Sequence, residues 1–340
     1  MKKKKGVLIL NLGTPDNPDP WAVGRYLREF LGDGRVIDIP WLARKLLVNG
    51  IIVPFRKRKS SAEYKKVWTD AGSPLLLYAE ELLDKIRTCF RDDDDVTIEL
   101  AMRYQNPSMD EVLGKMQKEN YDEILIFPLY PQYASATTGS TLEKAMDIIR
   151  NWYVIPEIKM ISQFWDHPGY INTMAEIAKD YDWKAYDHVM FSYHGLPERQ
   201  VDKVYDDRQC SSHSCETEIN EENKFCYKAT CYGTTRLLAE KIGIPEDNYT
   251  VCFQSRLDNK WIKPFSDKII EEWAKKGAKK LLFFSPAFVA DCLETTVEIG
   301  EAYLEEFQEM GGEELDLVPS LNTHPIWVKT VEEMIRKRLG

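Results

Sequence analysis

The sequence predicts an α/β fold with two related halves, each a parallel sheet flanked by helices. Three observations lead to this prediction. Short apolar runs typical of buried strands alternate with longer amphipathic stretches typical of helices. The 340 residues are enough for two domains of ordinary size. Strand-like segments of the first half also resemble segments of the second half, in the same order.

The strand and helix assignments follow from the length and patterning of each segment. Short apolar runs predict buried strands, and these are Val7–Leu12, Val96–Met102, Ile124–Leu129, His188–Tyr193, Tyr249–Gln254 and Lys280–Ser285. Longer amphipathic stretches predict helices, and these are Leu75–Phe90, Met109–Asn120, Thr234–Ile242 and Phe265–Lys276.

The similarity between the halves sets the domain boundaries. Residues 6–15 resemble 188–197, 98–106 resemble 251–259, and 124–143 resemble 281–298. Chance likeness among apolar strands is the alternative, which the shared order of the three pairs weakens. We therefore expect one domain of residues 1–157 plus 325–340, and a second of residues 158–324. Because open α/β sheets bind ligands at the carboxyl ends of their strands, we expect the site in a cleft between the halves.

Composition and charge exclude several classes of protein. With 44% hydrophobic and 29% charged residues, the chain is neither disordered nor fibrous. A net charge of -10 makes it a poor candidate for binding nucleic acid. Residues 1–60 nevertheless hold 13 Lys and Arg against 5 Asp and Glu, a local charge of +8 suited to an anionic small molecule or a lipid headgroup. The absence of a long apolar run and of a secretory signal predicts a cytoplasmic protein.

Residues 41–58, WLARKLLVNGIIVPFRKR, alternate apolar with basic side chains. Such a segment can form a lip over a binding site, or lie on a membrane surface with its cations toward the headgroups. The second role would make the protein peripheral on the inner face of the membrane. An ordinary amphipathic core helix followed by a loop is the competing interpretation.

His194 follows directly after a predicted strand, in the segment SYHGLP (192–197). The glycine and proline predict a tight turn that would hold the imidazole at the edge of the sheet. An imidazole there could abstract a proton or contact a metal ion. A structural histidine is the alternative, and the strand-end position favours function.

Four carboxylates recur after the last predicted strand. On an α-helix, Asp291, Glu294, Glu298 and Glu301 would form one stripe. Such a stripe could pass protons or a divalent cation, and together with an imidazole it suits Fe²⁺, Mn²⁺ or Zn²⁺. A solvated acidic face is the alternative. The hydroxyl-rich segment Tyr130–Ser140 could bind an anion, but no P-loop and no G-x-G-x-x-G pattern is present.

The cysteines are unevenly distributed. Four of the seven fall within 22 residues, as Cys210-x4-Cys215-x10-Cys226-x4-Cys231. The odd total argues against disulfides. Four thiolates can hold a zinc ion or an iron–sulfur cluster, and the x4 gaps match a [2Fe–2S] cluster better than the C-x2-C knuckle of common zinc folds. Free thiols are the other alternative, and His213 is a possible substitute ligand.

Seven segments resemble the ferrochelatase family, in order and along essentially the whole chain. They are LILNLGTP (8–15), VWTDAGSPL (67–75), AMRYQNPS (101–108), PLYPQYASATTGS (128–140), SYHGLPERQ (192–200), FQSR (253–256) and SPAFVADCLETTVEIG (285–300). Members of this family insert Fe²⁺ into a porphyrin at the end of haem synthesis. The resemblance implies two Rossmann-like, chelatase-type domains with the porphyrin between them.

The resemblance also implies roles for individual residues. His194 takes the place of the family's catalytic histidine and Glu294 that of its acidic partner, both near the Fe²⁺ substrate, while Glu298 continues the acidic path. The next acidic position of the family is Ala302 here, and the neighbouring Glu301 could replace it. Other residues fall on positions that line the porphyrin pocket or meet its propionates, and these are Leu12, Tyr64, Ser73, Arg103, Tyr104 and Ser140.

Substrate, cofactor and partners follow from the same resemblance. Leu12 lies where coproporphyrin enzymes of Gram-positive bacteria carry tyrosine, which favours protoporphyrin IX over coproporphyrin III. Another tetrapyrrole metal chelatase and a non-catalytic haem or porphyrin carrier are the alternatives. A subset of bacterial members carries four cysteines in an insert after the histidine motif. We therefore expect a [2Fe–2S] cluster on the four clustered cysteines, with zinc as the second choice, in a monomer or homodimer.

Overall fold

The structure is a computed structural model, and it describes residues 3–207, 209–210, 213 and 215–340. The chain divides into two compact units. Unit 1 contains the chain up to Tyr130 together with Ser135–Gln163 and Trp327–Gly340. Unit 2 contains Pro131–Ala134 and Phe164–Ile326.

Unit 1 is built on a four-stranded parallel sheet of order β2-β1-β3-β4. Its elements in chain order are β1 (Lys5–Gly13), α1 (Pro20–Gly32), α2 (Trp41–Leu46), α3 (Val53–Val67), α4 (Pro74–Cys89), β2 (Val96–Tyr104), α5 (Met109–Lys118), β3 (Glu123–Pro128), α6 (Ser140–Ile149) and β4 (Glu157–Met160). Two π-helices, Leu47–Ile52 and Ser135–Gly139, run directly into α3 and α6.

The centre of unit 1 is β1, which pairs with β2 on one side and β3 on the other. Its residues Val7–Leu10 are almost completely buried. A strand covered by helices on both faces must be apolar on both, which explains a continuous apolar run instead of an alternating one. Helices α5 and α6 supply one cover, and Leu113, Met116, Ala145 and Ile149 share a core cluster with the strands.

Unit 2 is built on a second parallel sheet, of order β6-β5-β7-β8. Its elements are α7 (Pro168–Ile177), β5 (His188–His194), α8 (Glu198–Val201), α9 (Tyr227–Ile242), β6 (Tyr249–Gln254), α10 (Ser266–Lys275), β7 (Lys280–Phe284), α11 (Leu304–Glu309) and β8 (Glu314–Leu317). A π-helix of ten residues, Glu294–Tyr303, runs directly into α11. The chain ends in α12 (Pro325–Leu339), most of which belongs to unit 1.

Helix ends follow local capping chemistry. Before α1, the Asp19 carboxylate accepts hydrogen bonds from the amides of Trp21 and Ala22, at 2.7 and 3.0 Å. The Ser108 hydroxyl caps α5 in the same way. Helix α9 ends at Gly243, whose φ of 81° is a left-handed conformation that glycine adopts without a steric penalty.

The predicted fold class is confirmed, because both sheets are parallel, flanked by helices and identical in strand order. The six predicted strands are confirmed as β1, β2, β3, β5, β6 and β7. The predicted helices correspond to α4, α5, α9 and α10, although α9 begins at Tyr227, earlier than expected. Strands β4 and β8 were not predicted, because their four-residue sequences EIKM and ELDL lack the apolar run of a buried strand.

The segment of residues 41–58 is helical throughout, so the loop of the competing interpretation is not found there. Helix α2, a π-helix and the start of α3 follow one another without a break. Most of the large apolar side chains of this segment face solvent, so it is not a core helix either. The exposed ones are Trp41, Leu42, Leu46, Ile51 and Phe55. In the described part of the chain, no helix has the length and apolar character needed to cross a membrane.

Candidate active site

The candidate catalytic histidine sits on a turn that requires glycine. Strand β5 ends at His194, and the amide of Gly195 donates to the Gln254 carbonyl at 2.8 Å. A Cβ atom on Gly195 would lie 2.8 Å from that carbonyl oxygen and 3.2 Å from the Trp261 ring. A side chain there would force the two strand ends apart. The turn therefore presents His194 at the carboxyl end of a central strand.

The hydrogen bonding of His194 determines which ring nitrogen is available. Its Nδ1 lies 2.7 Å from the Gly195 carbonyl oxygen. Because a carbonyl oxygen can only accept, Nδ1 carries the hydrogen and Nε2 keeps its lone pair. Nε2 is therefore the atom that can take a proton or bind a cation.

Glu294 and Glu298 lie on one side of the π-helix that follows β7. In a π-helix the hydrogen bonds run from i to i+5, so residues four apart fall on nearly the same face. The predicted four-carboxylate stripe is wrong at both ends. Asp291 precedes the helix, and the exposed Glu301 lies on another face of it. Sequence periodicity could not show this, because an α-helix was assumed.

Asp291 connects two loops by hydrogen bonds and does not belong to the predicted acidic stripe. Its carboxylate accepts hydrogen bonds from the Asn322 side chain at 2.7 Å and from the Ser320 amide at 3.1 Å. The Asn322 side chain accepts in return from the Asp291 amide at 2.8 Å. Asp291 thus fastens the loop after β8 to the start of the π-helix.

The Glu298 carboxylate is held by neutral side chains. The Ser255 hydroxyl donates to it at 2.5 Å, and the Gln254 amide and the Tyr303 hydroxyl each approach at 3.4 Å. Ser255 reaches this position from a left-handed backbone conformation, with φ of 61°. The Gln254 amide also donates to the Glu294 carbonyl at 2.9 Å. The end of β6 therefore fixes the first turn of the π-helix.

The charge state of Glu298 reflects opposing influences. Burial raises the pKa of this carboxyl above the usual glutamate range, and the nearby Glu294 carboxylate raises it further. The Ser255 hydrogen bond and the charge of His194 act in the opposite direction without cancelling the rise. These interactions link His194, Glu294 and Glu298 electrostatically. A carboxylate with a raised pKa is a better proton acceptor than an exposed one.

Three residues of this site were not predicted from the sequence. They are Gln254 and Ser255 at the end of β6, and Cys292, whose buried thiol lies near Glu294. Burial and the Glu294 charge raise the pKa of Cys292, so it stays a thiol. The FQSR segment marked the place of the first two, but nothing in it showed which carboxylate they would meet.

In unit 1 the predicted residues Arg103, Tyr104 and Ser140 meet around a carboxylate that the sequence analysis missed. Asp33 Oδ2 accepts from Arg103 Nη2 at 2.6 Å, from Tyr104 Oη at 2.9 Å and from Ser140 Oγ at 2.5 Å. Arg103 Nε donates to Ser140 Oγ at 2.7 Å. The position of Asp33 between two glycines indicated a turn but not this contact.

The Asp33 carboxylate balances the charge of Arg103. Burial acts to raise the pKa of Asp33, but the hydrogen bonds from Ser140 and the Arg35 amide, the Arg103 charge and the Tyr104 hydroxyl together lower it below its usual value. The pair is buried, with side-chain exposures of 13% for Arg103 and 5% for Asp33. A buried pair of this kind fixes geometry, because removing one partner would leave the other charge uncompensated.

The other predicted substrate residues lie elsewhere in unit 1. Leu12 is half-buried near the end of β1. The Ser73 hydroxyl, just before α4, is buried and bonded to the Thr14 hydroxyl at 2.9 Å. Tyr64 is buried in α3, with its ring edge-on to those of Tyr26 and Trp68.

The four clustered cysteines are all buried and unpaired by disulfides. The Cys210 thiol is within hydrogen-bonding reach of Cys215 and Cys226. Cys226 stands at the N-cap of α9, where the Cys210 thiol and the helix amides lower its pKa. Cys231 is fully buried next to Tyr227, and this burial raises the pKa of its thiol. Accordingly, no three His, Cys, Asp or Glu side chains surround a common point as a metal site requires, within the residues described.

The residues around the cysteines are polar. Lys228 attracts the charge of Cys215, and its amine bonds to Glu216 at 2.6 Å. His213 stacks on Tyr205 with a ring separation of 3.9 Å and lies 3.2 Å from Asp207. These contacts occupy His213, so the structure gives no support to it as a substitute ligand.

Comparison with known proteins decides the family. The family model described as "Ferrochelatase" matches residues 4–339. The chain belongs to the ferrochelatase family. A ferrochelatase of Legionella pneumophila (strain Corby) is 44% identical over 337 residues, covering 99% of this chain and 100% of that protein. A ferrochelatase of Coxiella burnetii is 42% identical over 343 residues, covering 99% and 94%. The family consists of metal-insertion enzymes of the lyase class, and the predicted iron insertion into porphyrin is confirmed at this level.

Comparison with solved structures shows the fold only, because the sequence identities are low. SirB from Bacillus subtilis with Fe3+ matches with a TM-score of 0.56 at 12% identity, covering 98% of this chain and 95% of that chain. CbiX, described as the terminal enzyme for biosynthesis of siroheme in denitrifying bacteria, matches with a TM-score of 0.50 at 14% identity, covering 98% and 100%. At these identities the two matches show a shared fold, which agrees with the predicted pair of α/β domains.

Proposed function

We propose that the chain inserts Fe²⁺ into protoporphyrin IX, with His194 Nε2 as the group that takes protons from the ring. The observation that carries this proposal is the lone pair of Nε2 at the end of β5, next to an acidic pair on the π-helix. Metal insertion releases two pyrrole protons as one Fe²⁺ enters, so the site needs a base and an onward acceptor. Glu294 and Glu298 supply the acceptor.

The raised pKa of Glu298 suits it to the second step. A proton passes favourably from the imidazolium only to a group of comparable basicity, and burial brings the carboxylate closer to that condition. The hydrogen bond from the Ser255 hydroxyl fixes the orientation of the carboxylate before it accepts the proton. We further propose that the site binds a buckled porphyrin better than a flat one, because buckling exposes the nitrogen lone pairs.

A propionate of the porphyrin would contact Arg103 through only one of its three guanidinium nitrogens. Its Nε and Nη2 are already engaged with Ser140 and Asp33. The Nη1 group is therefore the donor we assign to a propionate. Tyr104 acts through Asp33 in holding the guanidinium in place, and Ser140 does so both through Asp33 and by its own bond to Arg103 Nε.

The preference for protoporphyrin IX rests on Leu12. An apolar, half-buried side chain at the end of β1 favours the vinyl edge of protoporphyrin over the additional propionates of coproporphyrin III. We expect anaerobic turnover with Fe²⁺ to be at least about tenfold faster, as kcat/KM, with protoporphyrin IX. Leu12→Tyr should reduce the ratio of kcat/KM for protoporphyrin IX to kcat/KM for coproporphyrin III. Leu42→Tyr, an exposed control, should leave this ratio unchanged. Equal kcat/KM values for the two porphyrins in the parent chain would contradict the assignment.

We infer that the four buried cysteines hold a [2Fe–2S] cluster, with zinc as the alternative. All four donors are buried thiols, Cys210 lies near both Cys215 and Cys226, and the pKa of Cys226 is lowered, which suits soft metal ions. Purified protein should contain iron and acid-labile sulfide in equal amounts. Cys226→Ser should lose both, whereas Cys89→Ser, which alters a cysteine outside the group, should keep them. A colourless protein with one zinc per chain would overturn the cluster.

We propose peripheral membrane contact through residues 41–58. The exposed apolar side chains of this segment are accompanied by cations, with Lys45 4.9 Å from the Trp41 ring centre and Lys57 4.4 Å from that of Trp21. The chain should therefore sediment with vesicles of phosphatidylglycerol and phosphatidylcholine at low salt. Phe55→Ser should weaken this binding several-fold, and Tyr153→Ser, at an exposed site outside the segment, should not. Absence of sedimentation at low salt would refute the proposal.

A further inference from the structure

Ser192 places a completely buried hydroxyl just behind the candidate active site. It lies on β5 two residues before His194, so the two side chains project from the same face of the sheet. Gln254 is the partner of His194 in the register of β5 and β6. The Ser192 hydroxyl lies 2.8 Å from Gln254 Oε1 and 2.9 Å from the hydroxyl of Ser266, the first residue of α10. The chemistry proposed for His194 makes no use of this hydroxyl.

The direction of each hydrogen bond in this group follows from the chemistry of the partners. An amide oxygen can only accept, so the single hydrogen of the Ser192 hydroxyl goes to Gln254 Oε1. Ser266 is then the donor to the Ser192 oxygen. At the other end of the amide, Gln254 Nε2 donates to the Glu294 carbonyl at 2.9 Å and approaches Glu298 Oε2 at 3.4 Å. The result is a buried chain of hydrogen bonds from the start of α10 to the π-helix.

We propose that Ser192 is a positioning residue for metal insertion, which anchors the Gln254 amide and through it the Glu298 carboxylate. The inference rests on the role proposed for Glu298 in accepting protons. The amide is held at both ends, by the Ser192 hydroxyl at its oxygen and by the π-helix at its nitrogen. Without the hydroxyl, a buried amide oxygen loses its donor, and the amide gains by turning toward another one. That turn would draw the nitrogen away from Glu298.

The positioning role is tested by removing the hydroxyl alone. We expect Ser192→Ala to lower kcat for Fe²⁺ insertion about tenfold, with KM for protoporphyrin IX changed less than about twofold. The reason is that the orientation of Glu298 changes, while the residues assigned to the porphyrin do not. Ser61→Ala is the matched control, since that buried hydroxyl donates to the Pro18 carbonyl at 2.6 Å in unit 1. Equal kcat values for the two variants would overturn the proposal.

The connection through Gln254 is tested by a double-mutant cycle. Gln254→Met removes the amide and keeps a side chain of similar length. If Ser192 acts through that amide, adding Ser192→Ala to Gln254→Met should lower kcat by less than about twofold. A further tenfold loss in this background would overturn the connection. Parental kcat in Glu298→Gln would instead refute the role proposed for Glu298, and the cycle would still decide whether Ser192 acts through Gln254.

Discussion

Replacing His194 by alanine should reduce metal insertion at least about a thousandfold while porphyrin binding largely survives. The variant loses the Nε2 lone pair, which we propose takes the ring protons before they pass to Glu298. General base catalysis alone is worth about 10² to 10⁴ in rate, and a contact to the entering Fe²⁺ would add to it. Anaerobic turnover measures the rate, and porphyrin fluorescence measures binding.

The control for this variant is a histidine outside the site. His324 lies before α12, where its Nδ1 accepts from the Ile326 amide at 3.3 Å. His324→Ala should turn over like the parent chain and cost only a small loss of stability. If His194→Ala retained more than about a tenth of parental kcat, the base would have to be another group.

Replacing Glu298 by glutamine should lower kcat about a hundredfold. Glutamine keeps an oxygen for the Ser255 hydroxyl but cannot accept a proton, so the loss isolates the relay from the packing. Glu301→Gln, on the exposed part of the same π-helix, should have less than a twofold effect. Equal effects of the two substitutions would argue for a diffuse acidic surface in place of a relay.

The same variant should be more stable than the parent chain above neutral pH. The folded chain binds the Glu298 proton more tightly than the unfolded chain does, because burial raises its pKa. Stability contributed by this group therefore falls as pH rises from the ordinary glutamate pKa of about 4.3 through the folded value. A comparison of Tm at pH 4 and pH 8 should show the advantage of glutamine mainly at pH 8. A parental Tm advantage at pH 8 would contradict the raised pKa.

The interior of the fold could be predicted because burial leaves a direct pattern in the sequence. The central strands β1 and β5 are buried on both faces, so most of their residues are apolar, as in VLIL of β1 and VMF of β5. The edge strands β4 and β8 carry mixed sequences that match a loop equally well. The π-helix was missed for another reason. Its residues favour a helix, but helix propensity does not show whether the helix is an α-helix or a π-helix.

The part of the candidate site that could be predicted is the part marked by residues close together in the sequence. His194 follows a strand and precedes a glycine, and both signals are local. Asp33 and Ser255 gave no such signal, because their importance comes from partners far along the chain, at Arg103 and Glu298. The four cysteines were visible as a group, but the turn of Cys231 toward Tyr227 depends on where α9 begins.

The ten-residue π-helix restricts how the length of this region can change during evolution or engineering. Its wider winding accommodates more residues per turn than an α-helix, so deleting a single residue between Glu294 and Glu298 would let it tighten into the commoner form. Every side chain beyond the deletion would then rotate about the axis, and Glu298 would leave Ser255. A single codon lost from this stretch would therefore separate the acidic pair without altering either glutamate.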